Sequence, residues 1–268
     1  MRNLTPETDF EQLELAMLAL MVAEDVQDEP VLLPGLHALA ELRLQVSQWV
    51  TAEEEAERIE QLRSAFFGEL GFHGDSDHFF QPENCLLDQV LAKRSGIPVS
   101  LGIVLIHLAR SLAIPVAGIC FPGHFMVRLG AGKQARILDP FSGDYLSRAQ
   151  LELRLRGSLG DLARLEDKHL QAAEQREIIE RLLNVSKGSQ VQAGELLLAL
   201  RCSELLLCLN PDDPYEVRDR GLLYEQLECE PWAAEDLSFF IEQCPSDPVV
   251  GLLKEQLARL DDRAPTLH

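Results

Sequence analysis

Three side chains between Gly96 and Phe141 have the types and the order needed for acyl-transfer chemistry. Ser100 follows Gly-Ile-Pro-Val, His124 stands in Phe-Pro-Gly-His-Phe, and Asp139 stands in Ile-Leu-Asp-Pro-Phe. A serine hydroxyl attacks a carbonyl only when a base takes its proton, and a carboxylate fixes the tautomer of that base. Ser100, His124 and Asp139 are therefore the candidate nucleophile, base and orienter. Asn84 is a candidate oxyanion donor, because a side-chain amide ahead of the core helix can stabilise developing negative charge. A helix N-cap role after Pro82-Glu83 accounts for the same residue without catalysis.

The elements that must position these groups follow from local pattern. Ser100 opens the apolar run Leu101 to Leu112, long enough for a buried helix and stopped near Ile114-Pro115. Serine is a favoured N-cap, so capping alone explains Ser100 as well as catalysis does. A helix N-terminus lowers a cysteine pKa strongly, whereas serine gains far less from the same field. His124 to Leu129 reads as a strand, residues 130–133 as the turn, and Gln134 to Asp139 as the returning strand. With residue 129 opposite 134, His124 lies directly across from Asp139, and cross-strand partners on one face stand roughly 4.5–5.5 Å apart at Cβ.

Asn84 to Leu146 resembles the transglutaminase-like core, in its SirB-type branch. The resemblance rests on Val90-Leu-Ala-Lys-Arg-Ser-Gly-Ile-Pro-Val-Ser-Leu101, Phe121-Pro-Gly-His-Phe125 and Ile137-Leu-Asp-Pro-Phe141. In active members of that family a cysteine opens the core helix, and a histidine and an aspartate follow on adjacent strands. His124 and Asp139 match the last two, and Ser100 stands at the cysteine position, a departure that counts against thiol-ester chemistry while leaving the expected fold and site geometry in place. The resemblance implies an α+β, papain-like core with an antiparallel sheet and helices. Cys85 and Cys120 are the nearest substitutes for the missing thiol and are better read as small core residues.

The C-terminal third repeats at an interval of 34. Asn210-Pro211-Asp-Asp-Pro214 returns as Cys244-Pro245-Ser-Asp-Pro248, and Ala199, Leu205 and Leu206 align with Ala233, Phe239 and Phe240. That period, with Gly221-Leu-Leu-Tyr224 and Ala233-Ala234, resembles tetratricopeptide helix pairs. One to two units plus a capping helix from Val249 to Leu260 are expected, as an all-α region that docks on the first unit. At 268 residues, two units are expected, 1–156 and 162–268, joined where Gly-Ser-Leu-Gly interrupts the helical pattern around Gly157 to Asp161. Arg154, Arg156 and Arg164 give this junction a positive balance that a solvated face explains equally well.

Further helices are expected from Phe10 to Ala23, with Thr8 and Glu11 as a capping box, and from Leu36 to Trp49 after Pro30, Pro34 and Gly35. Another is expected from Ala56 to Leu70, with Thr51 as its N-cap and Ile59, Leu62 and Phe66 buried.

Composition removes several function classes. A net charge of −20 and a pI near 4.7 argue against nucleic acid and anionic membranes as partners. The six cysteines lack CxxC spacing, which fits reduced thiols of a cytoplasmic protein. The N-terminus lacks a basic region of the secretory kind, and no apolar run reaches the ~18 residues of a membrane span. His73-Gly-Asp-Ser-Asp-His78 lacks an EF-hand ligand series and any HExxH, so it reads as a polar loop beside the active face, and no metal or cofactor is assigned.

Two function classes remain. One is a protein-interaction or regulatory module that keeps the fold without cysteine chemistry and holds a protein or peptide partner on its helical repeats. The other is an amide or ester hydrolase or transferase using Ser100, His124 and Asp139. Serine at 100 and the repeats favour the first; the presence of both His124 and Asp139 favours the second.

Overall fold

A computed structural model describes residues 3–263; Met1, Arg2 and residues 264–268, which belong to the N-terminal and C-terminal expectations above, lie outside the described residues. The chain opens with α1 (Leu15–Gln27), α2 (Leu32–Trp49) and α3 (Glu55–Ser64), the last continued by a π-helical turn over Ala65–Glu69. There follow β1 (His73–Gly74), α4 (Leu87–Lys93), β2 (Ser95–Gly96), α5 (Pro98–Ser111), β3 (Val116–Ile119), β4 (Met126–Leu129) and β5 (Arg136–Leu138). Six helices complete the described chain: α6 (Arg148–Leu159), α7 (Gln175–Ala193), α8 (Leu196–Leu209), α9 (Pro214–Gln226), α10 (Glu230–Gln243) and α11 (Val250–Arg263).

The architecture is α+β followed by an all-α region. Strands β3, β4 and β5 form an antiparallel sheet in that order, and β1 pairs with β2 as a short parallel ladder. Side chains alternate across the three-stranded sheet as a pleat requires. Val127, Leu129 and Leu138 join the main core with α5, while Ile119 and Met126 form a second core with Leu151 and Leu155 of α6. The sheet is thus held between α5 and α6.

Helix α5 is the axis of the core, buried at every position from Pro98 to Ile106. Pro98 occupies the first turn, where its missing N–H costs nothing. The ring of Phe125 packs against two glycines: a Cβ at Gly102 of α5 would lie 2.4 Å from Phe125 Cε1, and one at Gly118 of β3 would lie 2.7 Å from Cζ. Helix and sheet approach closely at the residue next to His124.

Helix α7 inserts Ile178, Ile179, Leu182 and Leu183 into the main core, and α8 adds Cys202, Leu205, Leu206 and Leu209. Beyond them, Ala233, Leu237 and Phe240 of α10 pack on Val250, Leu253 and Leu260 of α11. The 34-residue repeat therefore relates the α8–α9 pair to α10–α11. Ala199 and Ala233 are both buried, as are Leu206 and Phe240, but Leu205 is buried while its counterpart Phe239 is 36% exposed. Leu205 belongs to the main core, which α8 and α1 share.

Several helix starts differ from the sequence expectation. Helix α1 begins at Leu15, not Phe10: Thr8 Oγ1 accepts the Thr5 N–H at 2.9 Å, and Asp9 Oδ1 accepts the N–H groups of Glu11 and Gln12. These local bonds hold a turn in place of a helix. Helix α2 begins at Leu32 and carries Pro34 in its first turn, where a missing N–H costs nothing, and Gly35 makes the first i to i−4 bond, donating to the Val31 carbonyl at 2.9 Å. Thr51 does not cap α3, whose N-cap is Glu54; Gln61 Oε1 takes the N–H groups of Thr51 and Ala52. Ile59, Leu62 and Phe66 are buried. Helix α6 runs through Gly157-Ser-Leu159 and ends at Gly160, whose φ is +94°. The interruption read from Gly-Ser-Leu-Gly is therefore confined to Gly160.

Candidate active site

Ser100 is not the N-cap of α5. Ile97 holds that position in extended conformation, and Ser100 is the third helical residue. Its Oγ accepts the Ile97 N–H at 3.1 Å and lies 2.7 Å from the Asn84 carbonyl oxygen and 3.1 Å from that of Ile97. A hydroxyl has one proton to donate, and the shorter contact is to Asn84. The side chain is 0% exposed. Gly96 makes this arrangement possible, because a Cβ there would stand 2.7 Å from Ser100 Oγ.

Asn84 closes a short 3-10 turn over Pro82–Asn84 and does not cap α4, whose N-cap is Leu86. Its amide nitrogen donates to the His78 carbonyl at 2.8 Å and to Asp75 Oδ2 at 3.2 Å. Asp75 Oδ1 accepts the His78 N–H at 2.9 Å, so the His73 to His78 loop is tied to Asn84 through its acid. Burial raises the Asp75 pKa, but the His78 and Asn84 hydrogen bonds outweigh it and lower the value. Phe79 closes the loop over Phe141, with ring centroids 5.6 Å apart.

His124 precedes β4 in a turn, where its N–H bonds the Phe121 carbonyl at 3.0 Å. Gly123 supplies the positive φ of +72° that the turn needs. Strand β4 begins at Met126, and the register differs by two from the symmetric hairpin: Leu129 pairs with Arg136 and Val127 with Leu138. The connection is longer because Gly132–Gln134 forms a 3-10 turn. A slip of two residues preserves the face, whereas a slip of one reverses it. His124 and Asp139 thus still meet, with His124 Nε2 2.9 Å from Asp139 Oδ1.

Asp139 is 2% exposed and fully engaged. Oδ1 also accepts the Phe141 N–H at 2.9 Å, and Oδ2 receives Arg154 Nη2 of α6 at 2.7 Å. Burial raises the Asp139 pKa, yet the hydrogen bond and charge of His124, then the Phe141 N–H and Arg154, hold the carboxyl below its ordinary range. An ionised carboxylate only accepts, so Nε2 of His124 donates to it, and in the neutral ring Nδ1 is then the lone-pair nitrogen.

The fold brings His124 and Asp139 together and binds Ser100 to Asn84. Among the described residues no hydrogen bond joins Ser100 to His124. Cys85 is buried, lies 3.6 Å from Ser189 Oγ, and has its thiol pushed up to about 12 by burial. Burial likewise raises Cys120 to about 11. Neither thiol is poised for nucleophilic attack. Among the described residues no group of three or more His, Cys, Asp or Glu forms a metal cluster.

Two arginines have roles that sequence reasoning missed. Arg154 holds Asp139, and Arg181 of α7 donates to the carbonyls of Phe121 at 2.6 Å and His124 at 3.1 Å. Nothing in local pattern separates these arginines from solvated ones.

Comparison with known proteins bears on the family and the fold. Residues 33–184 match the family model of the transglutaminase-like superfamily, and residues 187–258 match that of a tetratricopeptide repeat. A UPF0162 protein of Vibrio cholerae is 40% identical, with 100% of each chain covered. Protein SirB1 of Salmonella typhimurium is 38% identical over 84% of this chain and 82% of its own. UPF0162 protein YchA of Escherichia coli K12 is 38% identical over 92% of this chain and 89% of its own. No solved structure matches the chain.

Proposed function

The chain belongs to the transglutaminase-like superfamily, alongside SirB1 and the UPF0162 proteins, and on that premise we propose that it works as a protein-interaction module with a regulatory role. In this reading the core uses Ser100 as a structural tie, and the C-terminal helical repeats hold a protein or peptide partner. The observation that carries it is the commitment of the buried Ser100 hydroxyl to the Asn84 carbonyl at 2.7 Å. A serine nucleophile must pass its proton to a base, and here the nearest acceptor is a backbone carbonyl.

The repeats offer a groove of about 440 Å³ between α7 and α9, lined by Asn184, Lys187, Gly188, Val191, Leu222 and Gln226. Mixed apolar and polar lining suits an extended or helical peptide. Among the described residues no helix is long and apolar enough to cross a membrane. We place the protein in the cytoplasm, with residues 1–156 and 162–268 as its two functional units. No cofactor, metal, nucleic acid or membrane enters this reading.

The His124–Asp139 pair favours a second reading, acyl transfer by Ser100, His124 and Asp139, with Asn84 as a candidate oxyanion donor. That mechanism requires Ser100 to leave Asn84 and His124 Nδ1 to take its proton. The test is to treat wild type, Ser100→Cys and His124→Ala with serine- and thiol-directed acylating reagents. The interaction reading expects no labelling of wild-type Ser100. His124-dependent labelling of wild-type Ser100 overturns it in favour of the enzyme.

A further inference from the structure

The groove between α7 and α9 carries one residue for which the fold itself gives no reason. Gly188 stands inside the 19-residue helix α7, and a Cβ added there would meet nothing within 4 Å. Its φ is not positive, so neither close packing nor backbone conformation requires glycine at this position. A glycine in a helix interior is destabilising relative to alanine, and the bare backbone therefore works against the chain's own stability. Gly188 lines the groove. What it offers there is close approach to the backbone of an occupant.

The shape of the groove favours a helix. Asn184, Lys187, Gly188 and Val191 fall at i, i+3, i+4 and i+7 of α7, and α9 faces them with the same spacing from Asp219 to Gln226. Helix α8 returns between the two, so α7 and α9 run the same way and the groove follows their axes. Its middle is apolar, from Gly188 and Val191 across to Leu222 and Leu223, and Val191 is 39% exposed. The amide side chains of the lining, Asn184 and Gln226, stand at opposite ends. An extended segment lying there would leave backbone N–H and C=O groups over apolar surface without partners. A helix bonds its own backbone and presents an apolar stripe.

Charge narrows the occupant further. Lys187 is the cation of the lining, and its three N–H donors are taken: Nζ lies 2.8 and 2.7 Å from the two carboxylate oxygens of Glu216 and 3.0 Å from Asp219 Oδ2. Arg218 is held on Asp219 Oδ1 in turn, so the floor is electrically balanced and offers no open cation to an acidic ligand. Around it, residues 187–258 hold 14 Asp and Glu against five Lys and Arg, which favours a basic approach. We propose that the groove seats an amphipathic α-helix of a partner protein, apolar against Gly188, Val191 and Leu222 and basic at its flanks, and that it rejects an acidic or C-terminal carboxylate segment. The inference rests on the interaction reading above and specifies its partner.

The test is fluorescence polarisation of the full-length chain with a labelled, end-capped peptide of about fifteen residues, leucines at i, i+3, i+4 and i+7 and lysines on the other face. One control scrambles the same residues so that the leucines share no face, and another is an acidic peptide ending in a free carboxylate. Expected is saturable binding of the helical peptide, about tenfold or more tighter than either control. Gly188→Leu fills the groove from open space, so it should keep the fold and weaken this binding about tenfold or more. Gly188→Ala should also weaken it while raising the melting temperature by about 2–4 °C. Gly251→Leu on α11, where an added Cβ likewise meets nothing within 4 Å, should bind as wild type does. No saturable binding, equal binding of the scrambled peptide, binding unchanged in Gly188→Leu, or a lower melt in Gly188→Ala overturns the proposal. Tighter binding of the acidic peptide, or a dimer in sedimentation that Gly188→Leu dissociates, overturns it in favour of a terminal carboxylate or a second copy and leaves the interaction reading intact. Failure of that reading shows separately, as His124-dependent labelling of Ser100, which the glycine variants do not touch.

Discussion

Ser100 Oγ stands 2.7 Å from the carbonyl oxygen of Asn84, sixteen residues earlier in the chain, and takes the Ile97 N–H on its other side. One buried hydroxyl thus ties the loop carrying Asp75 and His78 to the start of the core helix. Two backbone groups depend on it.

Ser100→Ala should therefore destabilise the protein, because it leaves a buried N–H and a buried carbonyl without this partner. The expected loss is about 1–3 kcal/mol by urea denaturation. A change below about 0.5 kcal/mol would show that the tie contributes nothing and that relaxation or water replaces it.

Asp139→Asn should keep the fold but alter the His124 ring. The amide can present its oxygen or its nitrogen to Nε2, so the single tautomer set by the carboxylate gives way to a mixture. Ring ¹⁵N shifts read this directly. Unchanged shifts together with a lower melting temperature would instead assign Asp139 to the turn before Pro140 through its bond to the Phe141 N–H.

The depressed pKa of Asp139 has a defined consequence for acid stability. Its ordinary value is 3.8, and the folded value lies below it. The stabilisation is then fully present above the unfolded value and is lost as pH falls through the folded one. Melts between pH 5 and pH 2 should decline more steeply for wild type than for Asp139→Asn in the lower part of that range, about pH 4 and below. Parallel curves would remove Asp139 from the acid transition.

Gly102→Ala should push the Phe125 ring, which the new Cβ would meet at 2.4 Å. Overpacking of this kind costs about 1–3 kcal/mol. Because His124 adjoins Phe125, the His124 ring signals should move together with the melt. A stable variant with unmoved His124 signals would mean the ring rotates away freely.

A fragment ending at residue 161 should fail to fold cooperatively. It lacks Ile178, Ile179, Leu182 and Leu183, which fill the core around α5, and Arg181, which holds the Phe121 to His124 turn. Near-UV circular dichroism and a denaturant melt check this, and a sharp native-like transition in the fragment would refute it.

Much of the architecture was legible because it depends on neighbours in sequence. The apolar run after Ser100, its stop at Ile114-Pro115, the two strands carrying the approach of His124 to Asp139, and the 34-residue repeat all follow from periodicity and turn residues. The meeting of His124 and Asp139 survived a register error of two because the pleat has a period of two. Helix starts were less legible: Thr8 and Thr51 are good caps by type, but Thr5, Asp9 and the distant Gln61 decide where their bonds go. Only the tertiary structure decided what Ser100 does, because its partner Asn84 belongs to another segment and Gly96 opens the space between them. The same holds for Arg154 and Arg181. An arginine satisfies its donors with whichever buried acceptor the fold brings near, and its own neighbours in sequence carry no record of that acceptor.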